Sequence, residues 1–124
     1  MRLESLTPIL DVSDLGASLE WFEALGWERG FAWGADGPGS ADADFASVEA
    51  GDAEIFLCLD NQGARGAWMS WFVSSHAELD AVYARARELG YEISREPADE
   101  PWGVREFHLR HPDGHTFRVS CQGG

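Results

Sequence analysis

Leu25-Gly26-Trp27 and Leu89-Gly90-Tyr91 mark the two places where the chain repeats itself most plainly. Each closes a helical run. Leu15, Leu19, Phe22 and Leu25 recur at helical spacing before the first, and Leu79, Val82, Tyr83, Ala86 and Leu89 before the second. A glycine at the end of such a run stops it, because it takes the left-handed cap conformation without a Cβ penalty. The starts are marked as well: Ser13-Asp14 offers an N-cap, and Ser75-His76-Ala77-Glu78 reads as a capping box. Alternating or β-rich stretches flank both helices. Residues 6–12 precede the first helix, and 27–33, 45–49 and 54–59 follow it, broken by the glycine-rich stretch 34–40 and the turn Ala50-Gly51-Asp52. Residues 68–73 precede the second helix. Three strands then follow, 91–95, 104–110 and 116–120, the last two joined by the turn sequence His111-Pro112-Asp113-Gly114.

Each half therefore reads βαβββ, and Ile55-Phe56-Leu57 corresponds to Phe117-Arg118-Val119 at nearly the offset that relates the two helix ends. A constant register across half a chain is the mark of an internal duplication. The expectation is an α+β fold in one domain, residues 1–124, made of two tandem βαβββ modules at 1–62 and 63–124 whose mixed half-sheets cup a shared cleft.

Composition narrows the function. The 124 residues are 44% hydrophobic, enough for a core, and carry 22 acidic against nine basic residues, a formal charge of −13. A phosphate backbone would be repelled, so no nucleic acid is expected as a partner. Such acidity favours solubility and steers cationic groups inward. The two cysteines, Cys58 and Cys121, form no metal or disulfide pattern, and no stretch is apolar and long enough for a signal peptide or a membrane span. A cytoplasmic protein without membrane contact is expected.

Alternation along the strands assigns faces. Leu6, Leu10 and Val12 suit a helix-covered side, with Thr7 and Ile9 opposite; Ile55, Leu57 and Leu59 lie under a helix while Phe56 faces the cleft. Met69, Trp71 and Val73 lie under the second helix. Trp68, Ser70 and Phe72 face the cleft, as do His108, Thr116, Arg118 and Ser120, whereas His111 and His115 are expected as solvated turn residues. The inward set is aromatic and hydroxylic, with one Arg, and lacks convergent His, Cys and carboxylate groups for a metal. Core packing is the competing assignment for any single aromatic, but six Trp in so short a chain favour a surface for flat rings.

Thr7-Pro8-Ile9-Leu10-Asp11-Val12-Ser13-Asp14 with Ser18 and Trp21-Phe22 resembles the opening of vicinal oxygen chelate proteins. The closing segment, Pro101-Trp102-Gly103-Val104-Arg105-Glu106-Phe107 with Leu109-Arg110-His111-Pro112-Asp113-Gly114, is similar to the glyoxalase and bleomycin-resistance branch of that superfamily. The resemblance runs over essentially the whole chain and implies the glyoxalase/bleomycin resistance protein/dihydroxybiphenyl dioxygenase fold. Enzymes of the superfamily hold a divalent metal with His and Glu. Here those positions fall on Thr7, Trp68 and Arg118, which implies a metal-free, cofactor-free protein of the kind that binds and sequesters an aromatic antibiotic. The resemblance also implies a homodimer with ligand clefts at the subunit interface.

Neither a Ser-His-Asp nor a Cys-His constellation is legible, so no catalytic residue is assigned. The expected ligand-binding residues are Trp33, Phe45, Ser47, Phe56, Trp68, Ser70, Phe72, Trp102, His108 and Arg118. Trp102 stands out, since Pro101 and Gly103 hold it on a loop from which a ring can project. Residues 34–40 read as a flap over the ligand or as a plain hairpin connection. The rival assignment is a metal-dependent glyoxalase-, dioxygenase- or thiol-transferase-like enzyme, with Glu49, Glu54 or His108 as ligands.

Overall fold

The computed structural model describes residues 1–34, 37–38, 42–60 and 62–122. The chain divides into two compact units, Met1–Arg65 and Gly66–Gly124. In the first, β1 (Ile9–Val12) leads to α1 (Leu15–Leu25), β2 (Glu28–Gly34), the two-residue β3 (Gly37–Pro38), β4 (Ala43–Ala50) and β5 (Ala53–Leu59). In the second, β6 (Trp68–Phe72) leads to α2 (His76–Glu88), β7 (Glu92–Asp99), β8 (Val104–Arg110) and β9 (Thr116–Gln122).

The duplication is visible in the strand order. The first sheet runs β1-β5-β4-β2-β3 and the second β6-β9-β8-β7. In both, the strand before the helix lies parallel to the last strand of its unit, Ile9 facing Phe56 in one and Trp68 facing Thr116 in the other. All other pairings are antiparallel, so both sheets are mixed. Each unit is a βαβββ module, the first with a short extra strand where the glycine-rich stretch begins.

The helix signals act as their chemistry requires. Asp14 accepts the Ala17 amide at 2.9 Å, and Gly26, at φ 115°, turns its N–H back onto the Glu23 and Phe22 carbonyls. In the second unit Ser75 Oγ accepts the Glu78 amide at 3.0 Å. Leu19 and Phe22 of α1 pack with Leu10, Val12, Val48, Ile55 and Leu57 of the strands beneath it, all buried. Leu79 and Ala86 of α2 pack with Phe107, Leu109, Phe117 and Val119 of the strands beneath it, with Trp71 stacked on Phe117 at 4.3 Å. Each buried Leu, Ile, Val or Phe side chain here contributes about 1.5–3 kcal/mol by leaving water. These cores occupy one face of each sheet and leave the other for the site.

Close approach fixes one further residue. A Cβ on Gly30 would lie 2.1 Å from Ser47 Oγ, which accepts the Phe31 amide at 3.0 Å, so only glycine lets β2 bulge against β4 there.

Several expectations need correction. The strand expected from residue 6 begins at Ile9, and Leu6 is 78% exposed rather than helix-covered. The cause is Pro8, which has no N–H to pair and contributes only its carbonyl, accepting the Phe56 amide at 2.9 Å. Strand β7 runs on through Pro97 to Asp99, because it lies at the sheet edge, where a missing donor costs no ladder bond. His111 and His115 are buried, not solvated. Their Nδ1 atoms accept the Asp113 and Ala67 amides at 3.0 and 3.2 Å, so one imidazole takes a backbone partner's place inside the β8–β9 connection and the other ties that connection to the residue before β6. Of the stretch 34–40, read as a flap or a plain hairpin connection, only 34 and 37–38 fall within the described residues, where they pair as an antiparallel hairpin; the rest lies outside them.

Candidate ligand-binding site

The second sheet carries α2 on one face, and alternation turns a different set of side chains to the other. Trp68 comes from β6, Arg118 from β9, Glu106 and His108 from β8 and Arg95 from β7, while Trp102 comes from the β7–β8 connection. Together these six line a pocket of about 280 Å³. The connection is a tight turn in which the Glu100 amide donates to the Val104 carbonyl at 2.7 Å and the Gly103 amide to the Glu100 carbonyl at 3.1 Å. Gly103 sits at φ 92°, a conformation that a Cβ would strain, and so the turn can hold Trp102 beside the strand ends.

The walls are aromatic. Trp68 is 60% exposed and Trp102 58%, an uncommon exposure for the largest side chains of a chain with a filled core. Trp68 meets the His108 ring edge to face at 5.6 Å.

The floor is charged, and its charges are matched. Glu106 is only 1% exposed, and such a carboxylate is costly to bury without partners. Arg118 grips it with two bonds, Nε to Oε2 at 2.9 Å and Nη2 to Oε1 at 3.2 Å. Arg95 holds the buried Glu100 by a single oxygen, with Nε and Nη2 both on Oε1 at 3.0 and 2.6 Å. These bonds push the Arg118 guanidinium, already a strong base, further towards its charged form. His108 lies across the strands from both Arg95 and Arg118, with its Nε2 3.8 Å from Glu106 Oε2 and in no hydrogen bond. Burial lowers the basicity of its imidazole; Glu106 opposes that shift and the two arginines add to it. His108 is therefore neutral at physiological pH.

Of the residues expected from sequence, Trp68, Trp102, His108 and Arg118 are gathered in this pocket. Ser70 and Phe72 share β6 with Trp68 and are exposed there, Ser70 opposite Arg118 and Phe72 opposite Ser120, but neither lines the pocket. Trp33, Phe45 and Phe56 belong to the first unit. Phe45 and Phe56 form an aromatic cluster with Phe31, with ring centroids 5.4–5.8 Å apart, and Trp33 pairs with Phe45 across β2 and β4. Ser47 is fully buried and its hydroxyl is held by the Phe31 amide, which makes it a strut of the first sheet.

Sequence reasoning missed Arg95, Glu100 and Glu106. Glu106 had a signal, since it shares a strand face with His108 two residues on. Arg95 had none, because bulges on either side of it break the alternation of β7.

The side chains present do not fit a divalent metal. At two of the positions where the resemblance places ligands stand the Trp68 indole, which has no lone pair to give, and the Arg118 guanidinium, a cation already bound to the nearby carboxylate. No group of three or more His, Cys, Asp or Glu gathers anywhere among the described residues.

A family model described as the Glyoxalase/Bleomycin resistance protein/Dioxygenase superfamily matches residues 6–119. No curated protein matches the sequence. Among solved structures, TioX from Micromonospora sp. ML1 is similar with a TM-score of 0.80 and 17% identity, over 94% of this chain and 97% of that one. The hypothetical protein SA1046 from S. aureus gives 0.73 and 22%, over 96% and 97%. A bleomycin resistance determinant encoded on the transposon Tn5 gives 0.69 and 19%, over 97% and 98%. At these identities the likeness is one of fold. No helix among the described residues is long and apolar enough to cross a membrane.

Proposed function

The chain belongs to the Glyoxalase/Bleomycin resistance protein/Dioxygenase superfamily, and from that premise we propose that it binds an aromatic antibiotic or related natural product and sequesters it unchanged, in the cytoplasm and as a homodimer. The observation that carries this reading is the pair of half-exposed indoles, Trp68 and Trp102, lining a pocket over a charge-compensated floor. Exposed Trp costs free energy in water, which a flat ring recovers by covering it. Each stacked ring adds about 1 kcal/mol beyond the area it buries. The floor suits holding rather than transforming, since each carboxylate is tied to a guanidinium and each guanidinium is thereby fixed in direction. A mostly apolar pocket with a few directional polar groups is the usual form of a small-molecule site.

Titration of the intrinsic tryptophan fluorescence with bleomycins, enediynes and mitomycins tests the reading. Saturable quenching is expected for at least one class, with the ligand recovered intact by mass spectrometry. Trp102→Ala is expected to weaken that binding about tenfold or more, the equivalent of roughly 1.4 kcal/mol. A ligand returned chemically altered, or no saturable change with any class, overturns the proposal.

A further inference from the structure

Resting on the reading of this pocket as a ligand site, we propose that its ligand carries a carboxylate beside the planar ring, and that Arg95 and Arg118 receive it. The argument starts from the order in which a ligand meets the charges. The carboxylates lie underneath, Glu100 4% and Glu106 1% exposed, Glu106 giving both oxygens to Arg118 and Glu100 giving Oε1 to Arg95. The guanidiniums lie outermost, Arg95 50% and Arg118 39% exposed. Each commits Nε and Nη2 to its carboxylate, and the Nη1 donors stand outside those bonds. What faces the ligand is thus a pair of guanidiniums whose planes are fixed from below, so little side-chain freedom is lost when an oxygen docks. His108 lies between them, opposite both, and its Nε2 has no hydrogen-bond partner. Trp68 and Trp102 supply the faces for the ring.

The formal charge of −13 argues the other way and invites a cationic tail. Distance decides between them. At physiological salt the screening length is about 8 Å, so acidic groups scattered over the surface are damped, whereas two guanidiniums lining the pocket act on the ligand directly. The overall charge slows the approach of an anion, and the pocket sets what stays.

Calorimetric titration of the intact protein with 2-naphthoate, 2-naphthamide and 2-naphthylmethylammonium at neutral pH separates the possibilities, because the three share a ring and differ in the group beside it. Naphthoate is expected to bind about tenfold or more tighter than the amide, with the ammonium weakest, since charge-assisted bonds are roughly twice as strong as neutral ones. Naphthoate affinity is expected to fall as salt rises, the sign of local attraction rather than relief of overall repulsion. Arg95→Lys keeps a charge opposite Glu100 but loses the planar fork, and is expected to shrink the preference for the acid while leaving the far-ultraviolet circular dichroism unchanged. Equal affinity for acid and amide, a preference for the ammonium, tighter naphthoate binding at high salt, or an undiminished preference in a folded Arg95→Lys protein overturns the inference and leaves the aromatic site standing. No binding of any of the three overturns the site and the inference with it.

Discussion

Glu106 shows how little a single residue declares until its neighbours are known. In the sequence it is one acid among 22, and in the fold it is a fully buried carboxylate whose placement depends on Arg118 across the sheet. Arg118 was legible as an inward cation from alternation alone, but its partner was not, because register between strands fixes which side chains meet. His111 makes the same point in the opposite direction. A His in a Pro-Asp-Gly turn reads as solvated, yet its ring is buried and replaces a backbone acceptor. Burial and the nearby His115 push its pKa down from 6.5 to about 4. Between those values the unfolded chain binds a proton that the folded one refuses. Stability from this residue is therefore complete above pH 6.5, is lost as pH falls towards 4, and changes no further below that. At pH 5 the loss is about 2 kcal/mol relative to neutral pH. Urea unfolding at both pH values measures it, and His111→Asn, which can still accept the Asp113 amide, is expected to narrow the pH difference by that amount. An unchanged pH difference in the variant contradicts the assignment.

Elements were more legible than residues. Both helices lie within a residue or two of where their apolar spacing and caps put them, because helix signals are local. Ser75 carries the start of α2, whose long outer face is polar and whose buried residues are only Leu79 and Ala86. With so little burial, the cap contributes a larger share of that helix's stability than it would in a greasier one. Ser75→Ala is expected to destabilise the protein by about 1 kcal/mol, read as a lower urea midpoint with unchanged slope, and Ser75→Asp to restore it. A midpoint unmoved by Ser75→Ala contradicts that role. Strand ends were less legible. Pro8 precedes the first paired residue of β1 whereas Pro97 falls in a bulge of β7 between Arg95 and Ala98, and both strands lie at a sheet edge, where a proline without an N–H is tolerated.

For the whole molecule, the repeat at Leu25-Gly26-Trp27 and Leu89-Gly90-Tyr91 carried the architecture, since one βαβββ order recurs in both units with the same strand neighbours. Of the candidate site, Trp68, Trp102, His108 and Arg118 were legible in the sequence, whereas the ion pairing of its charges was not. Exposed Trp68 and Trp102 follow from alternation and a loop, whereas the Arg95–Glu100 and Arg118–Glu106 pairs arise from bulges and register that no local pattern encodes. Net charge is an average over the surface, whereas in the pocket the guanidiniums are more exposed than the carboxylates they bind. The central claim is that this pocket holds a flat ring. The chain has six indole N–H groups to follow by proton–nitrogen correlation spectra during titration with the quenching antibiotic. The indole signals of Trp68 and Trp102 are expected to shift together and saturate, with that of Trp71, packed on Phe117 beneath the sheet, nearly still. Saturation without movement of Trp68 and Trp102 would place the ligand elsewhere and contradict the account.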